Sequence, residues 1–139
     1  MNLNHLFPEA NRFMCTSFAL ALIVAGLLGC GGKDDADKLG VGAQCDADGE
    51  CNVDLGQACL TQFKGGYCGI QDCEHDADCP DLSACIAHDD GKNYCFRTCA
   101  DKTECNENRE VANEANCSSS VTFVDGAMNR KACVPPSGT

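Results

Sequence analysis

The sequence predicts a small disulfide-rich fold of three consecutive four-cysteine units with short β-hairpins and little helix. Three observations support this. The chain of 139 residues contains 14 cysteines, twelve lie between positions 45 and 133, and these twelve recur at a fixed spacing. From position 30 onward there are only 18 Val, Leu, Ile, Met, Phe and Tyr residues. Burial alone cannot offset the chain entropy of such a sequence, so disulfides must supply the difference.

The first element is an apolar run without charged residues, from 13 to 28. It is shorter than the about 20 residues of a membrane-spanning helix and suits a cleavable signal peptide. The run is followed by a short motif, Leu27-Leu28-Gly29-Cys30. This motif resembles the lipobox of bacterial lipoproteins. The resemblance implies that residues 1–29 are removed, that a lipid is attached to Cys30, and that the new amino terminus is acylated.

Cysteine parity agrees with lipidation. If Cys15 leaves with the signal peptide and Cys30 carries lipid, twelve cysteines remain and can pair completely. The alternative is an ordinary signal peptide cleaved nearby, which leaves Cys30 as an odd thiol. In lipoproteins of Gram-negative bacteria an Asp after the lipidated cysteine retains the protein in the inner membrane. Gly31 stands there, so the resemblance implies lipid anchoring in the outer membrane, facing the periplasm or the cell surface.

Two segments flank the cysteine-rich module of residues 45–133. Residues 30–44 are rich in Gly and Asp and are predicted to form a flexible tether, and residues 134–139 are predicted to form a disordered tail. The net charge of −11 argues against binding of nucleic acid or anionic membrane surfaces. The expected membrane contact is therefore the lipid on Cys30.

The module divides into units 45–68, 73–95 and 99–133. In each unit five residues separate the first two cysteines, and the last of the five is an acid. Each unit also contains a predicted hairpin between its third and fourth cysteines, with turns at 64–66, 89–91 and 125–126. In the third unit, strand 121–124 is expected to return after the turn toward Val134. The segment 107–116 is expected to be a solvated loop or a short helix.

The second unit resembles a cysteine-rich module, Cys-x-x-Asp-x-Asp-Cys-Pro-x-Gly-x-x-Cys, of many bacterial surface lipoproteins. Its spacing is also similar to that of the amino-terminal domain of Dickkopf proteins. Leu82 stands where the pattern has Gly. Cysteine counting alone leaves the connectivity open. The resemblance implies first-to-third and second-to-fourth pairing in each unit: Cys45–Cys59, Cys51–Cys68, Cys73–Cys85, Cys79–Cys95, Cys99–Cys117 and Cys105–Cys133.

Metal and cofactor sites are not predicted with this sequence. No Cys-x-x-Cys pair is present, and cysteines in an oxidising compartment pair with each other instead of binding zinc. The calcium candidates are the alternating acids of the first two units, whose spacing does not fit an EF-hand. Our interpretation is that they cap turns and face water. These candidates are Asp46, Asp48, Glu50, Asp76 and Asp78.

An enzyme is not predicted either. His75 and His88 do not belong to a nucleophile motif and are interpreted as solvated loop residues, and the serines at 118–120 are interpreted as a loop. The main hypothesis is a non-enzymatic, lipid-anchored binding, adhesion or structural protein of the envelope. The alternatives are an inhibitor or toxin-like binder with a protruding loop, at 62–66 or 88–92, and a calcium-stabilised module. The aromatic residues of the module could form either a recognition surface or a miniature core, and we expect a core. These residues are Phe63, Tyr67, Tyr94, Phe96 and Phe123.

Overall fold

The computed structural model describes residues 40–127 and 129–138. The predicted signal peptide, Cys30 and most of the tether lie outside the described residues. Within them the predicted fold class is confirmed: six disulfides join short antiparallel strands, and the longest helix has five residues. None of the helices in this part of the chain is long and apolar enough to cross a membrane.

Seven short strands form three antiparallel sheets in the described part of the chain. Their bounds are β1 Ala58–Cys59, β2 Cys68–Gly69, β3 Ser83–Ala87, β4 Asn93–Arg97, β5 Asn116–Ser118, β6 Thr122–Phe123 and β7 Ala132–Val134. Strand β1 pairs with β2, β3 lies between β4 and β6, and β5 pairs with β7. Helix α1, Lys102–Asn106, begins after Asp101, whose Oδ1 accepts the N–H groups of Thr103 and Glu104. This is an ordinary N-cap.

The six bridges join the same pairs as the resemblance implies, each within one unit. The strand register shows which arrangement of cysteines the three units share. In each unit the third and fourth cysteines lie directly opposite each other on two paired strands, and each is bonded to one of the first two cysteines instead of to its neighbour. The opposed pairs are Cys59 with Cys68, Cys85 with Cys95, and Cys117 with Cys133.

The hairpin predicted in the third unit is wrong. Strand β7 pairs with β5, not with the strand before the turn at 125–126. That strand, β6, instead pairs with β3 of the second unit, where Phe123 lies opposite Ile86. Both side chains are buried, at 5% and 1% exposure. Burial of Phe123 in the neighbouring unit's core therefore overrides the local turn signal.

The predicted aromatic core is confirmed. Phe63, Tyr67, Tyr94, Phe96 and Phe123 are all buried in one apolar cluster that draws residues from all three units. Tyr94 and Phe96 are stacked with their ring centroids 5.8 Å apart, and Phe63 meets Tyr94 edge-on at 5.2 Å. These are the offset and edge-on arrangements that aromatic rings favour.

Both ends of the described chain are more ordered than the sequence indicated. In the predicted tether, Val41 and Ala43 are buried, and Ala43 accepts the N–H of Cys68 through its carbonyl oxygen at 2.9 Å. In the predicted tail, the carbonyl oxygen of Pro136 accepts the N–H of Lys64 at 2.9 Å, and Gly138 donates to Gln62 at 2.7 Å. The ordered module therefore runs at least from 40 to 138, because both ends pair with backbone of the first unit.

Arg109 lies inside the segment expected to be solvated, yet it is 9% exposed. Its guanidinium donates four hydrogen bonds, all to backbone carbonyl oxygens. The acceptors are Asn113 at 2.8 Å, Lys64 at 2.8 Å, Gly66 at 2.9 Å and Gly42 at 3.3 Å. The side chain therefore fastens the third unit to the first unit and to the amino-terminal segment.

Candidate functional site

The acid that ends each five-residue insert has the same structural role in all three units. Its carboxylate accepts the backbone N–H four residues earlier, just after the first cysteine. The three bonds are Glu50 to Asp46 at 2.7 Å, Asp78 to Glu74 at 2.8 Å, and Glu104 to Ala100 at 2.7 Å. The second of these carboxylates also accepts the N–H of His75 at 2.8 Å. The repeated acids therefore close turns, which a carboxylate does well next to unpaired N–H groups.

Two other calcium candidates are engaged with the backbone of their own units. Asp48 accepts the N–H of Cys59 at 2.8 Å, and Asp76 accepts the N–H of Cys85 at 2.9 Å. Asp76 also receives a hydrogen bond from Arg130 at 2.7 Å. Among the described residues, the groups of three or more possible metal ligands consist of cysteines, all of them in disulfides. The structure does not bring the five calcium candidates together.

The two histidines have different environments. His75 is exposed, and its Nδ1 lies 3.0 Å from Asp125 Oδ1. Hydrogen bonding to Asp125 raises the pKa of His75 above its ordinary value. The interpretation of His88 as solvated is wrong: its side chain is 15% exposed and packs edge-on against Phe63 at 5.3 Å. Its Nδ1 lies 3.2 Å from Asp90 Oδ1.

A cleft of about 480 Å³ lies between the first two units, and its volume is in the range of small-ligand sites. Its walls combine aliphatic side chains from both units and the amino-terminal segment. They are Val41, Leu55, Ile70 and Leu82. Two of these are strongly exposed, Leu55 at 55% and Leu82 at 77%. The cleft is open to solvent.

Leu82 combines this exposure with an uncommon backbone conformation. Its φ is +63°, in the left-handed region, and the other described non-glycine residues with positive φ are Asp72 and Asn129. Asp and Asn tolerate this conformation, whereas a bulky aliphatic residue is sterically strained in it. The pattern that the second unit resembles has Gly at this position, and Gly adopts the left-handed conformation without strain. An apolar side chain is thus held in solvent at the cleft on a backbone that suits Gly.

Gln57 is the second unusual residue of the cleft wall. It is 3% exposed, and its Oε1 has no hydrogen-bond partner among the residues that the structure describes. A buried acceptor without a donor is costly, and native proteins contain few of them. The sequence analysis did not single out Gln57, because nothing in its local pattern indicates burial.

The charged side chains of the cleft are Asp78, Asp81 and Arg97. Arg97 is paired with Glu107, at an N–O distance of 3.2 Å. The backbone N–H groups of Glu74 and His75 lower the pKa of Asp78, so its carboxylate is ionised at neutral pH. The cleft wall therefore carries two acidic side chains and one arginine that already has an acidic partner.

The two loops proposed for an inhibitor differ in the structure. Loop 62–66 is held from both sides, since Gln62 and Lys64 bond to the carboxyl-terminal segment and Gly66 to Arg109. Loop 88–92 projects from the β3–β4 hairpin as a tight turn, in which His88 donates to the Lys92 carbonyl oxygen at 2.8 Å. Only the second loop therefore has the protruding form that an inhibitor requires.

Known protein families, curated proteins and solved structures were compared with the chain, and none of them matches it.

Proposed function

We propose that this protein is a lipid-anchored, non-enzymatic binding protein of the bacterial cell envelope, and that the cleft between its first two units receives its partner. The observation that carries the binding role is the cleft itself, whose wall includes both the exposed Leu82 and the buried Gln57 with its unpartnered Oε1. Native proteins concentrate such locally unfavourable features at functional sites. The lipobox-like motif ending at Cys30 supports the anchor.

The proposed anchor also limits where binding takes place. Gly40 lines the cleft and follows Cys30 by ten residues in the sequence. Ten residues span at most about 36 Å. The cleft would therefore meet its partner close to the membrane, and two or three acyl chains would hold the protein there essentially permanently.

The mass of the protein purified from its native membrane tests the anchor. We expect residues 1–29 to be absent, acyl mass to be present on the Cys30 peptide, and reduction to add 12 hydrogens for the six bridges. The matched control is Cys30→Ala, which should appear in the soluble fraction without acyl mass. A wild-type mature chain without lipid would contradict the proposal.

An inhibitor is the second candidate, and the protruding loop 88–92 favours it. Asp89 and Lys92 offer exposed charged groups in this loop, and Tyr94 holds its conformation by donating to the Asp90 carboxylate at 2.7 Å. Replacement of this loop by Asn-Gly would abolish inhibition while leaving cleft binding intact. Loss of cleft binding in that variant would argue against two separate surfaces.

A further inference from the structure

We propose that the cleft binds an extended peptide segment that carries an aliphatic side chain next to a Lys or Arg. This inference rests on the proposed binding function and names its ligand class. Three features of the cleft wall support it: an exposed aliphatic surface, a buried acceptor without a donor, and two acidic side chains beside an arginine that is already paired.

The aliphatic surface selects the apolar side chain. Leu55 and Leu82 lie on opposite units and remain largely in water, while Val41 and Ile70 lie deeper. An aliphatic side chain placed between them would remove apolar surface on both sides from water, which is the main driving force of such binding. A polar ligand would leave this surface exposed.

Gln57 selects a donor. Its Oε1 is buried behind the cleft wall, so a bond to the ligand requires the Gln57 side chain to turn toward the cleft; a backbone amide is the donor that every extended peptide carries at regular intervals. Formation of this bond would remove an unfavourable feature of the free protein, so it would contribute more than an exchange of one bonded partner for another.

The carboxylates select the basic residue. Asp78 and Asp81 lie in the cleft, and Arg97 is already paired with Glu107. The whole chain carries a net charge of −11, so a basic segment is attracted at long range as well as in the cleft. An acidic segment is repelled both by the net charge of the chain and by the carboxylates in the cleft. The partner is therefore a basic protein with an accessible extended segment.

Fluorescence anisotropy of labelled peptides tests the proposal on the mature protein as its host produces it, in detergent, whether or not it carries lipid. The probe is fluorescein-Ala-Leu-Arg-Ala-amide, compared with peptides in which Ala replaces Leu or Glu replaces Arg. We expect saturable binding of the probe and at least tenfold weaker binding of both comparison peptides. Equal binding of the Glu peptide, or no saturable binding of the probe, would overturn the proposal.

Variants of the protein locate the site. Leu82→Gly and Gln57→Met should each weaken probe binding at least tenfold. Val111→Ala is the matched control, because Val111 is 85% exposed and lies outside the cleft wall; its affinity should equal that of the wild type. Unchanged affinity of Leu82→Gly would place binding elsewhere and refute the assignment.

Two other occupants would give distinct results. A second copy of the chain would produce a concentration-dependent dimer in sedimentation that Leu82→Gly abolishes. The chain's own segment 31–39 would make probe binding appear only when that segment is deleted. Either result would overturn the proposal. The mass experiment decides the anchor and the anisotropy experiment decides the ligand, so the two can fail separately.

Discussion

The hydroxyl group of Tyr67 donates a hydrogen bond to the carbonyl oxygen of Cys133, 3.3 Å away. The same hydroxyl accepts the backbone N–H of Arg97 at 3.0 Å. Tyr67 belongs to the first unit, Arg97 ends strand β4, which begins in the second unit, and Cys133 belongs to the third unit, so one buried oxygen atom connects all three. Burial raises the pKa of Tyr67 far above its ordinary value, which keeps the hydroxyl protonated and able to donate.

Replacement of Tyr67 by Phe should lower the free energy of unfolding by about 1–3 kcal/mol, because the bonds to Arg97 and Cys133 are lost inside the protein. Guanidinium unfolding followed by circular dichroism, with the disulfides intact, measures the change. Tyr94→Phe is the matched control. The partners of its hydroxyl, Gln62 and Asp90, are exposed side chains that can turn to water, so a loss below about 1 kcal/mol is expected. Equal losses of unfolding free energy in the two variants would show that the Tyr67 hydroxyl, which connects the units, stabilises the fold no more than the Tyr94 hydroxyl does.

Replacement of Arg109 by Met should lower the free energy of unfolding by about 2–4 kcal/mol. The variant keeps most of the side-chain volume but removes the donors from four carbonyl oxygens, of which those of Gly42 and Gly66 are buried. Thermal unfolding measures the change. Lys102→Met, which removes an exposed ion pair with Glu114, should cost less than about 1 kcal/mol. A similarly small effect at Arg109 would contradict the fastening role of this side chain.

Gly66 and Gly91 form a matched pair of glycines with positive φ. A Cβ atom on Gly66 would lie 1.9 Å from the carbonyl oxygen of Cys45, whereas a Cβ on Gly91 would meet nothing within 4 Å. We expect Gly91→Ala to lower the free energy of unfolding by about 1–2 kcal/mol, because Ala is strained in the left-handed conformation. Gly66→Ala should cost about 4 kcal/mol or more, or prevent oxidative folding. Yields of the oxidised protein and unfolding curves test both, and comparable behaviour of the two variants would argue against the close approach at Cys45.

The pKa of His75 should lie above 6.5 in the folded protein, because Asp125 stabilises the imidazolium. The contribution of His75 to stability is therefore complete below pH 6.5 and disappears as the pH rises through the raised pKa. The pKa of Asp125 is lowered by the hydrogen bond from His75, so its contribution is present above pH 3.8 and disappears as the pH falls through the lowered value. Titration of the His75 ring signal by NMR measures the first shift. Asp125→Asn should return the pKa toward 6.5, and Asp90→Asn should not; a wild-type value at or below 6.5 would refute the pairing.

Replacement of Leu82 by Gly should leave the free energy of unfolding unchanged or raise it by about 1 kcal/mol. Relief of the left-handed conformation raises the free energy of unfolding by about 1–2 kcal/mol, whereas the greater freedom of Gly in the unfolded chain lowers it by about 0.5–1 kcal/mol. Leu82→Ala keeps the strain and should show no gain. Chemical unfolding of both variants makes the comparison. A large loss in Leu82→Gly would mean that the side chain stabilises the fold and is not held at the cleft for binding.

The predictable part of this structure is what the cysteine spacing and local turn residues determine. The hairpins of the first two units follow from turns with Gly at the required positions, and the aromatic core follows from the scarcity of other large side chains. The pairing of β6 with β3 could not be predicted, because contacts between Phe123 and Ile86 join different units and leave no local pattern. For the same reason Arg109 looked like an ordinary solvated cation, although four carbonyl oxygens surround it.

The candidate site was largely invisible in the sequence. The departure from Gly at position 82 was the one signal, and its meaning depended on φ and exposure. Burial of Gln57 and the presence of both Leu55 and Leu82 in the wall of one cleft result from how the first two units pack, which spacing does not specify. Of the acids in the first two inserts, Glu50 and Asp78 close turns as interpreted, whereas Asp48 and Asp76 bond to the third cysteine of their units. The bond at Glu104 shows that the turn is repeated in the third unit.

The six bridges differ from the other contacts in their reach along the chain. Each closes between residues 12 to 28 positions apart, and no bridge leaves its unit. As the chain is synthesised from its amino terminus, the partner of any cysteine therefore emerges soon after it, before the next unit is complete. Segments 121–126 and 134–138, which complete the second and first units, arrive last. Covalent closure can thus proceed in the order of synthesis, while final assembly waits for the carboxyl-terminal residues.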